Sequence, residues 1–233
     1  LEARGVPSAW RGHPLADDFA SVAPSLPPLE ARRIALLPGS RRSEIRRLLP
    51  TLRESASQLQ AEGFSPVFSV APGLSDDLKE WMKRELRGME IFEGEGRELL
   101  AGSAAAAGAS GTVAVEAMLL DRFMVVLYKT GFLSECVWRM LGKTERISLP
   151  NILAGRDVYP ELLQRHATPK NAMEALLRYL RDPEYRDAVH SGLRSAREGM
   201  GEPGALAFWA ESILSGEVET QRPERQRTEE ISP

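Results

Sequence analysis

Two short glycine-containing segments constrain the fold of this chain more than any other feature. One is the sequence LPGSRRSE at residues 37–44, and the other is ASGTVAVE at residues 109–116. Each follows an apolar run that is typical of a strand, and each opens a helical pattern. Backbone N–H groups are accessible at such a turn, and the positive end of the helix dipole also favours an anion. Two turns of this kind in one domain predict a ligand with two phosphate groups, such as a nucleotide diphosphate.

Strands and helices are predicted to alternate, because short apolar runs alternate with segments of helical periodicity. The predicted strands are residues 33–37, 66–70, 89–92, 104–109, 123–128 and 146–149. The predicted helices are residues 44–60, 75–86, 98–101, 112–120, 132–141, 160–164, 169–181, 183–199 and 204–215. Strands joined by helices of this length form a parallel sheet with helices on both faces. The expected fold class is therefore α/β, a Rossmann-like sheet whose ligands bind outside the carboxyl ends of its strands.

The composition along the chain predicts where the domain begins and ends. Residues 1–30 contain several prolines and are predicted to be a linker, whereas residues 31–200 form the Rossmann-like domain. A C-terminal helix is predicted at residues 201–216, and the polar residues 217–233 are predicted to be disordered. The first residue is not Met, so we expect a piece of a larger protein.

Charge and cysteine content argue against several classes of protein. The formal net charge is −3, which argues against a nucleic-acid binder. The single cysteine, Cys136, excludes a disulfide framework within one chain and is expected to be a buried, inert thiol. No apolar stretch approaches the roughly 20 residues of a membrane-spanning helix. The default expectation is a cytoplasmic protein.

The first glycine turn offers three candidate ligand-binding residues, Gly39, Ser40 and Arg41. Glycine permits a tight turn, the serine hydroxyl can donate to a phosphate oxygen, and the guanidinium offers two parallel donors. A helix start with merely solvated arginines is the open alternative. The segment is not a P-loop, because the Gly-Lys-Ser/Thr ending is missing.

The second glycine turn adds Ser110, Gly111, Thr112 and Glu116. No acidic residue stands three positions after Ser110 or Thr112, so the segment is not a capping box. Glu116 lies one helical turn after Thr112 on the same face, where a carboxylate can accept hydrogen bonds from the hydroxyls of a ribose. An N-cap without a ligand is the alternative.

A third candidate group lies in residues 148–164, which we interpret as a loop followed by a helical turn. Asn151, Arg156, Glu161 and Gln164 could form a polar wall beside a ligand pocket. A capped loop and a solvated helix turn explain the same spacing equally well.

Metal-binding patterns are missing from the sequence. His13, His166 and His190 have no partner at metal-ligand spacing, and His190 is expected on the surface of a helix. No Asp-x-Asp pair is present to hold a divalent cation on a diphosphate. We therefore expect no metal and no cofactor, with cations and helix starts neutralising the phosphates.

Taken together, these segments resemble the lipid-A-disaccharide synthases, the family 19 glycosyltransferases, which have the two-domain GT-B architecture. The matching stretches are GHPLAD at residues 12–17, LLPGSRRSEI at 36–45, ASGTVAVE at 109–116, MVV at 124–126 and SLPNILAGRDVYPELLQ at 148–164. They occur in the family's order between about residue 10 and residue 200. The last block is highly specific, whereas the Ser-Gly-Thr…Glu element is shared by many GT-B enzymes.

The resemblance implies an inverting, metal-independent transfer of a sugar. UDP-2,3-diacylglucosamine would donate its sugar to 2,3-diacylglucosamine 1-phosphate, which gives the β-1,6 disaccharide precursor of lipid A and UDP. This chain would then be the donor-binding, C-terminal half, with residues 1–30 crossing over from an N-terminal domain. The acceptor site and the general base would belong to that domain, so no base is named here.

The resemblance also assigns roles to the candidate residues. Ser110, Gly111 and Thr112 would face the diphosphate, and Glu116 would bind the ribose. Asn151 and the loop beside it would close the uridine side of the site. We expect Arg41 to stabilise the diphosphate as it leaves, because negative charge builds there as the anomeric bond breaks.

Two other functions stay open at this point. One is another GT-B enzyme that uses a UDP-sugar, such as an epimerase or a different transferase. The other is a UDP-binding half-module that is inactive without its N-terminal domain.

Acylated substrates imply peripheral contact with the surface of the inner membrane, and a homodimer is possible. The candidate membrane segment is residues 130–143, where Phe132 and Trp138 stand beside Arg139 and Lys143. A helix that packs on the sheet gives the same pattern.

Overall fold

The computed structural model describes residues 10–22, 25, 27–130 and 146–215. Its contacts divide the chain into two compact units, which are described separately below. One unit is Ser21–Met200, and the other combines Leu1–Ala20 with Gly201–Pro233. The predicted helix at 132–141 with Cys136, residues 131–143 of the predicted membrane segment 130–143, and the tail at 217–233 lie outside the described residues.

The unit Ser21–Met200 contains a parallel sheet and its connecting helices. Its strands are β1 (Arg33–Leu37), β2 (Ser65–Ser69), β3 (Glu90–Phe92), β4 (Ala105–Ala109), β5 (Met124–Tyr128) and β6 (Glu161–Leu163). Its helices are α2 (Arg42–Ala61), α3 (Asp76–Glu85), α4 (Gly96–Ala101), α5 (Thr112–Leu119), α6 (Leu149–Ala154), α7 (Pro169–Arg181) and α8 (Pro183–Glu198). Short 3-10 turns lie at Leu29–Ala31 and Gln164–His166.

The strands follow the order β3-β2-β1-β4-β5-β6, and every pair is parallel. Parallel crossovers are almost always right-handed, so the reversal of strand order between β1 and β4 places the helices before and after it on opposite faces. These observations confirm the α/β, Rossmann-like prediction. In such a sheet the point of reversal is the usual ligand site.

The alanine-rich strand β4 lies at the centre of the sheet and is fully buried along its length. Its Gly108 is paired with Leu37 of β1. A Cβ added at Gly108 would lie 2.2 Å from the carbonyl oxygen of Leu37 and 2.7 Å from its Cβ. Small residues in this strand therefore let β1 and β4 approach closely next to their carboxyl ends.

Helix α2 shows why the predicted amphipathic pattern produces the observed packing. Its buried apolar residues recur at three- and four-residue spacing and form one face, namely Ile45, Leu48, Leu49, Leu52, Ala56 and Leu59. The opposite face carries exposed arginines. Gly63, with φ +78°, follows the helix as its C-terminal glycine.

A buried polar cluster lies at the amino end of β5, on the opposite edge from the strand ends that carry the glycine turns. Asp121 lies 3.0 Å from His190 Nδ1 and accepts a hydrogen bond of 2.9 Å from Arg197. His190 is also 3.0 Å from the Tyr179 hydroxyl and only 6% exposed, so the expectation of a surface histidine is wrong. Burial raises the pKa of the Asp121 carboxyl, but its contacts with His190 and Arg197 outweigh that effect and lower it.

Two predicted elements near residue 150 are wrong. Residues 146–149, predicted as a strand, lead into α6, and the loop predicted from residue 148 contains that helix. Ser148 is the N-cap, and Pro150 occupies the first turn, where its missing N–H has no helical partner to lose. Residues 160–164 are predicted as a helix, but Glu161–Leu163 form β6, because Glu161 and Leu163 pair with Val126 and Tyr128 on the free edge of β5.

The second unit contains α1 (Pro14–Asp18) and α9 (Ala205–Ser215). Asp17 accepts hydrogen bonds from the N–H groups of Gly204 and Leu206 and so caps the start of α9. These bonds lower the pKa of Asp17, with that from Gly204 contributing most. Among the described residues, no helix combines the length and apolar character that crossing a membrane requires.

Candidate functional site

A cavity of about 210 Å³ opens at the carboxyl ends of β1, β2 and β4. It lies at the reversal of strand order, where a Rossmann-like sheet binds its ligand. The lining residues come from three strand ends and from the starts of α2, α4 and α5: Leu37, Pro38, Gly39, Ser40, Glu44, Ser69, Ala71, Gly96, Ala109, Ser110, Gly111, Thr112, Val113 and Glu116. The fold thus brings both glycine turns to one cavity.

The first turn depends on Gly39, whose φ of +108° lies in the region that favours glycine. A Cβ at this position would lie 2.9 Å from Glu44 Oε2 and 3.2 Å from Ala109 Cβ. Glycine therefore lets the chain turn sharply from β1 into α2, and Ser40 comes to line the cavity beside it.

The second turn presents the start of α5 to the cavity. The N–H of Ser110 donates to the carbonyl oxygen of Leu127 at 3.2 Å, which fixes the turn at the end of β4. Gly111 is the N-cap, and an added Cβ there meets no atom within 4 Å. The first turn of α5 carries no acidic residue, so no carboxylate of its own offsets the positive end of the helix dipole. These features favour an anionic ligand.

Arg41, the predicted catalytic residue, lies at the N-cap of α2 directly after Ser40. Its side chain is 80% exposed, and Nη1 lies 3.2 Å from Glu44 Oε1. Arg41 is not one of the residues that line the cavity. Glu44 does line it, although sequence reasoning did not select it as a site residue. The available signal was its place in the first turn of the helix that follows the first glycine turn.

The structure places Asn151 and Glu161 in a network of their own, away from the cavity lining. Asn151 is fully buried; its amide donates to the Tyr159 carbonyl and to Glu161, and its oxygen accepts from the N–H groups of Val158 and Tyr159. The Glu161 carboxylate also accepts from the backbone and hydroxyl of Ser148. These two side chains therefore hold the start of α6 against β6.

Gln164 and Arg156 also lie outside the cavity lining. Gln164 binds both the N–H and the hydroxyl of Thr130, at 3.1 and 2.6 Å, and so holds the chain just after β5. The Arg156 guanidinium lies 3.0 Å from where a Cβ of Gly192 would stand, against α8. Of the predicted residues, the cavity thus collects Gly39, Ser40, Ser110, Gly111, Thr112 and Glu116.

Metal-ligating side chains are not clustered in the described part of the chain. Across residues 10–22, 25, 27–130 and 146–215, no group of three His, Cys, Asp or Glu side chains is placed to hold a metal ion.

Comparison with known proteins assigns the chain to a family. The sequence model described as "Lipid-A-disaccharide synthetase" matches residues 2–202. The chain belongs to this family. The resemblance found in the motifs is therefore confirmed.

Curated relatives include the lipid-A-disaccharide synthase of Anaeromyxobacter dehalogenans (strain 2CP-C), which is 41% identical over 223 residues, covering 91% of this chain and 58% of that protein. The enzyme of the same name from Myxococcus xanthus (strain DK1622) is 41% identical over 190 residues, covering 79% and 49%. The chain thus spans about half the length of the curated relatives it matches.

Solved structures with the same fold include a UDP-GlcNAc 2-epimerase from Neisseria meningitidis bound to UDP-GlcNAc. It is 15% identical with a TM-score of 0.56, and the match covers 92% of this chain and 58% of that one. An S. aureus MnaA–UDP co-structure is 14% identical with a TM-score of 0.55, covering 88% and 53%. At these identities the similarity shows the fold alone.

Proposed function

We propose that this chain is the donor-binding part of an inverting lipid-A-disaccharide synthase. UDP-2,3-diacylglucosamine donates its sugar to 2,3-diacylglucosamine 1-phosphate, and the products are the β-1,6 disaccharide and UDP. The observation that carries this proposal is the single cavity that both glycine turns line at the reversal of strand order. Family membership supports the choice of donor and acceptor.

The proposed diphosphate position lies between the Gly39–Ser40 turn and the start of α5. Ser40, Ser110 and Thr112 supply hydroxyl donors. The N–H groups of Thr112 and Val113 open α5 and have no acceptor within the helix, whereas that of Ala114 donates to the Gly111 carbonyl oxygen at 3.0 Å. The S. aureus MnaA–UDP co-structure and the N. meningitidis epimerase bound to UDP-GlcNAc share this fold, which is consistent with a uridine nucleotide at this edge. Glu116, one turn into α5, is proposed to accept hydrogen bonds from the ribose.

Arg41 is proposed to stabilise the UDP leaving group. Negative charge grows on the diphosphate as the anomeric bond breaks, so a guanidinium beside the first turn lowers the barrier more than it tightens binding. Its high exposure leaves the side chain able to reorient toward a bound diphosphate.

We therefore expect Arg41→Ala to reduce turnover much more than UDP affinity. The measurement is kcat and the UDP dissociation constant in a protein of the relatives' full length. An equal loss in both quantities would assign Arg41 to ground-state binding instead.

Asn151 and Glu161 are proposed to shape the uridine side of the site indirectly, by fixing the segment that leads into α6. Arg156 and Gln164 are proposed to belong to the same wall. We also propose that residues 130–143 contact the inner membrane from its cytoplasmic side. A homodimer is the last part of the proposal.

The test of this function is to measure UDP binding and disaccharide formation separately with the purified chain. Product formation by the chain itself supports a complete synthase, whereas UDP binding by the chain with product formed only by a protein of the relatives' full length supports a donor-binding half-module. Comparing acylated donor with plain UDP-N-acetylglucosamine separates this reaction from that of an epimerase or another transferase. Absence of UDP binding would refute both readings.

A further inference from the structure

Glu44 places a carboxylate inside the cavity that is proposed to hold a diphosphate. It is the third residue of α2, and its side chain is 22% exposed, compared with 80% for Arg41. Within the described ranges, Glu44 makes one hydrogen bond, which is also its ion pair: Arg41 Nη1 donates to Glu44 Oε1 at 3.2 Å. An anionic side chain thus lies where an anionic ligand is expected.

The position of this carboxylate is set by the first glycine turn. Glu44 Oε2 lies 2.9 Å from where a Cβ of Gly39 would stand, so it packs directly on the glycine of that turn. A carboxylate in the first turn of a helix interacts favourably with the helix dipole. A phosphate bound at the same helix start is stabilised by the same dipole. No side chain caps α2 at Arg41, so Glu44 is the acidic group of this helix start.

We propose, on the basis of the function proposed above, that Glu44 is a positioning residue for Arg41 and a competitor of the donor diphosphate. The carboxylate and a bound diphosphate compete for the same helix start and the same guanidinium. Entry of the diphosphate displaces Glu44 and transfers Arg41 from the carboxylate to the phosphate oxygens. No bond is made or broken in this exchange; only ion pairs change partners.

Removing the charge of Glu44 therefore strengthens anion binding. Glu44→Gln keeps the shape of the side chain and removes the repulsion, so UDP and inorganic pyrophosphate bind several-fold tighter, on the order of five-fold. Uridine carries no phosphate, and its affinity stays unchanged. Glu44→Asp keeps the charge and restores affinities close to those of the parent chain.

A double-substitution cycle identifies the coupling with Arg41. In an Arg41→Ala background there is no guanidinium for the carboxylate and the diphosphate to compete for, so only the repulsion between Glu44 and the ligand remains. The gain from Glu44→Gln is then smaller than in the parent chain. The matched control is Glu54→Gln on the exposed face of the same helix, which leaves every affinity unchanged.

The experiment is isothermal titration calorimetry of the 233-residue chain and these variants with UDP, pyrophosphate and uridine, accompanied by melting temperatures. Tighter pyrophosphate binding by Glu44→Gln supports the inference even where UDP does not bind and the proposed function fails. Equal or weaker binding of both anions by a Glu44→Gln variant that melts normally overturns it. Failure of both the parent chain and the variant to bind either anion overturns the inference together with the proposed function.

Discussion

Substitution of Gly108 by alanine is predicted to destabilise the domain strongly. The new Cβ would stand 2.2 Å from the Leu37 carbonyl oxygen, whereas a relaxed carbon–oxygen contact needs about 3.3 Å. The central strands β1 and β4 must then separate by roughly 1 Å, and the contact is with backbone, which cannot rotate away. Overpacking of this kind costs typically 1–3 kcal/mol, and we expect about 3 kcal/mol here because two paired strands must move.

The matched control is Gly111→Ala, three residues further along the same segment. No atom lies within 4 Å of its added Cβ, and its φ of 166° is extended backbone. Alanine is a poorer N-cap than glycine, so the free energy of unfolding should fall by no more than about 1 kcal/mol. Gly111 lines the cavity, so the same variant should bind UDP more weakly while remaining far more stable than Gly108→Ala.

Urea denaturation followed by circular dichroism measures both variants, and thermal melting gives an independent check. A loss of about 3 kcal/mol lowers the melting temperature by roughly 6–12 °C in a domain of this size. If Gly108→Ala unfolds like the parent chain, or if Gly111→Ala is equally destabilised, the close approach of β1 and β4 does not exist as described.

Three further predictions concern polar residues. Asn151→Ala should lower the unfolding free energy by about 3 kcal/mol in urea titrations, since it leaves several buried hydrogen-bonding groups without a partner. Asp121→Asn should cost about 3 kcal/mol at pH 7, because it breaks the buried pairs with His190 and Arg197. The pKa of Asp121 is lowered in the folded chain, so the ionised carboxylate stabilises the fold above about pH 4, and this stabilisation is lost as the pH falls through the folded pKa. The Asp121→Asn variant has no such carboxylate, so its free energy of unfolding should fall less on acidification than that of the parent chain. Glu116→Ala should weaken UDP binding by about 1–3 kcal/mol in calorimetry, and an unchanged affinity would remove it from the site.

The sheet and its central helices could be predicted because their signals are local. The strand at Arg33–Leu37 and the helix that follows it show clear periodicity, and both were predicted within a few residues of their observed bounds. The glycine turns could be placed at one edge because parallel strands all end on the same side. Six of the predicted site residues accordingly line one cavity.

The region around residue 150 could not be predicted correctly, because its structure depends on distant partners. β6 has only three residues and exists because the edge of β5 is free to pair. No local pattern distinguishes such a short edge strand from a helical turn. The ends of α6 did carry a signal. Ser148 followed by Pro150 is typical of a helix start, and Gly155, which adopts a left-handed backbone conformation, is typical of a helix end.

The contacts of the polar residues could not be predicted from the sequence either. Asn151 and Glu161 were predicted to face a ligand, and whether they do so in a complex stays a prediction; in the chain itself they bind each other and the backbone. His190 was predicted on the surface of its helix, yet Asp121 and Tyr179 enclose it from two other parts of the chain. Burial of a polar side chain depends on the neighbours that the fold supplies.

The central claim is that two glycine turns bind one diphosphate at the point where strand order reverses. A crystal structure of the chain with UDP tests it most directly. The account predicts the two phosphates between the Gly39–Ser40 turn and the N–H groups that open α5, with the ribose near Glu116. A uridine nucleotide bound at any other surface, with this cavity closed by protein side chains, would contradict it.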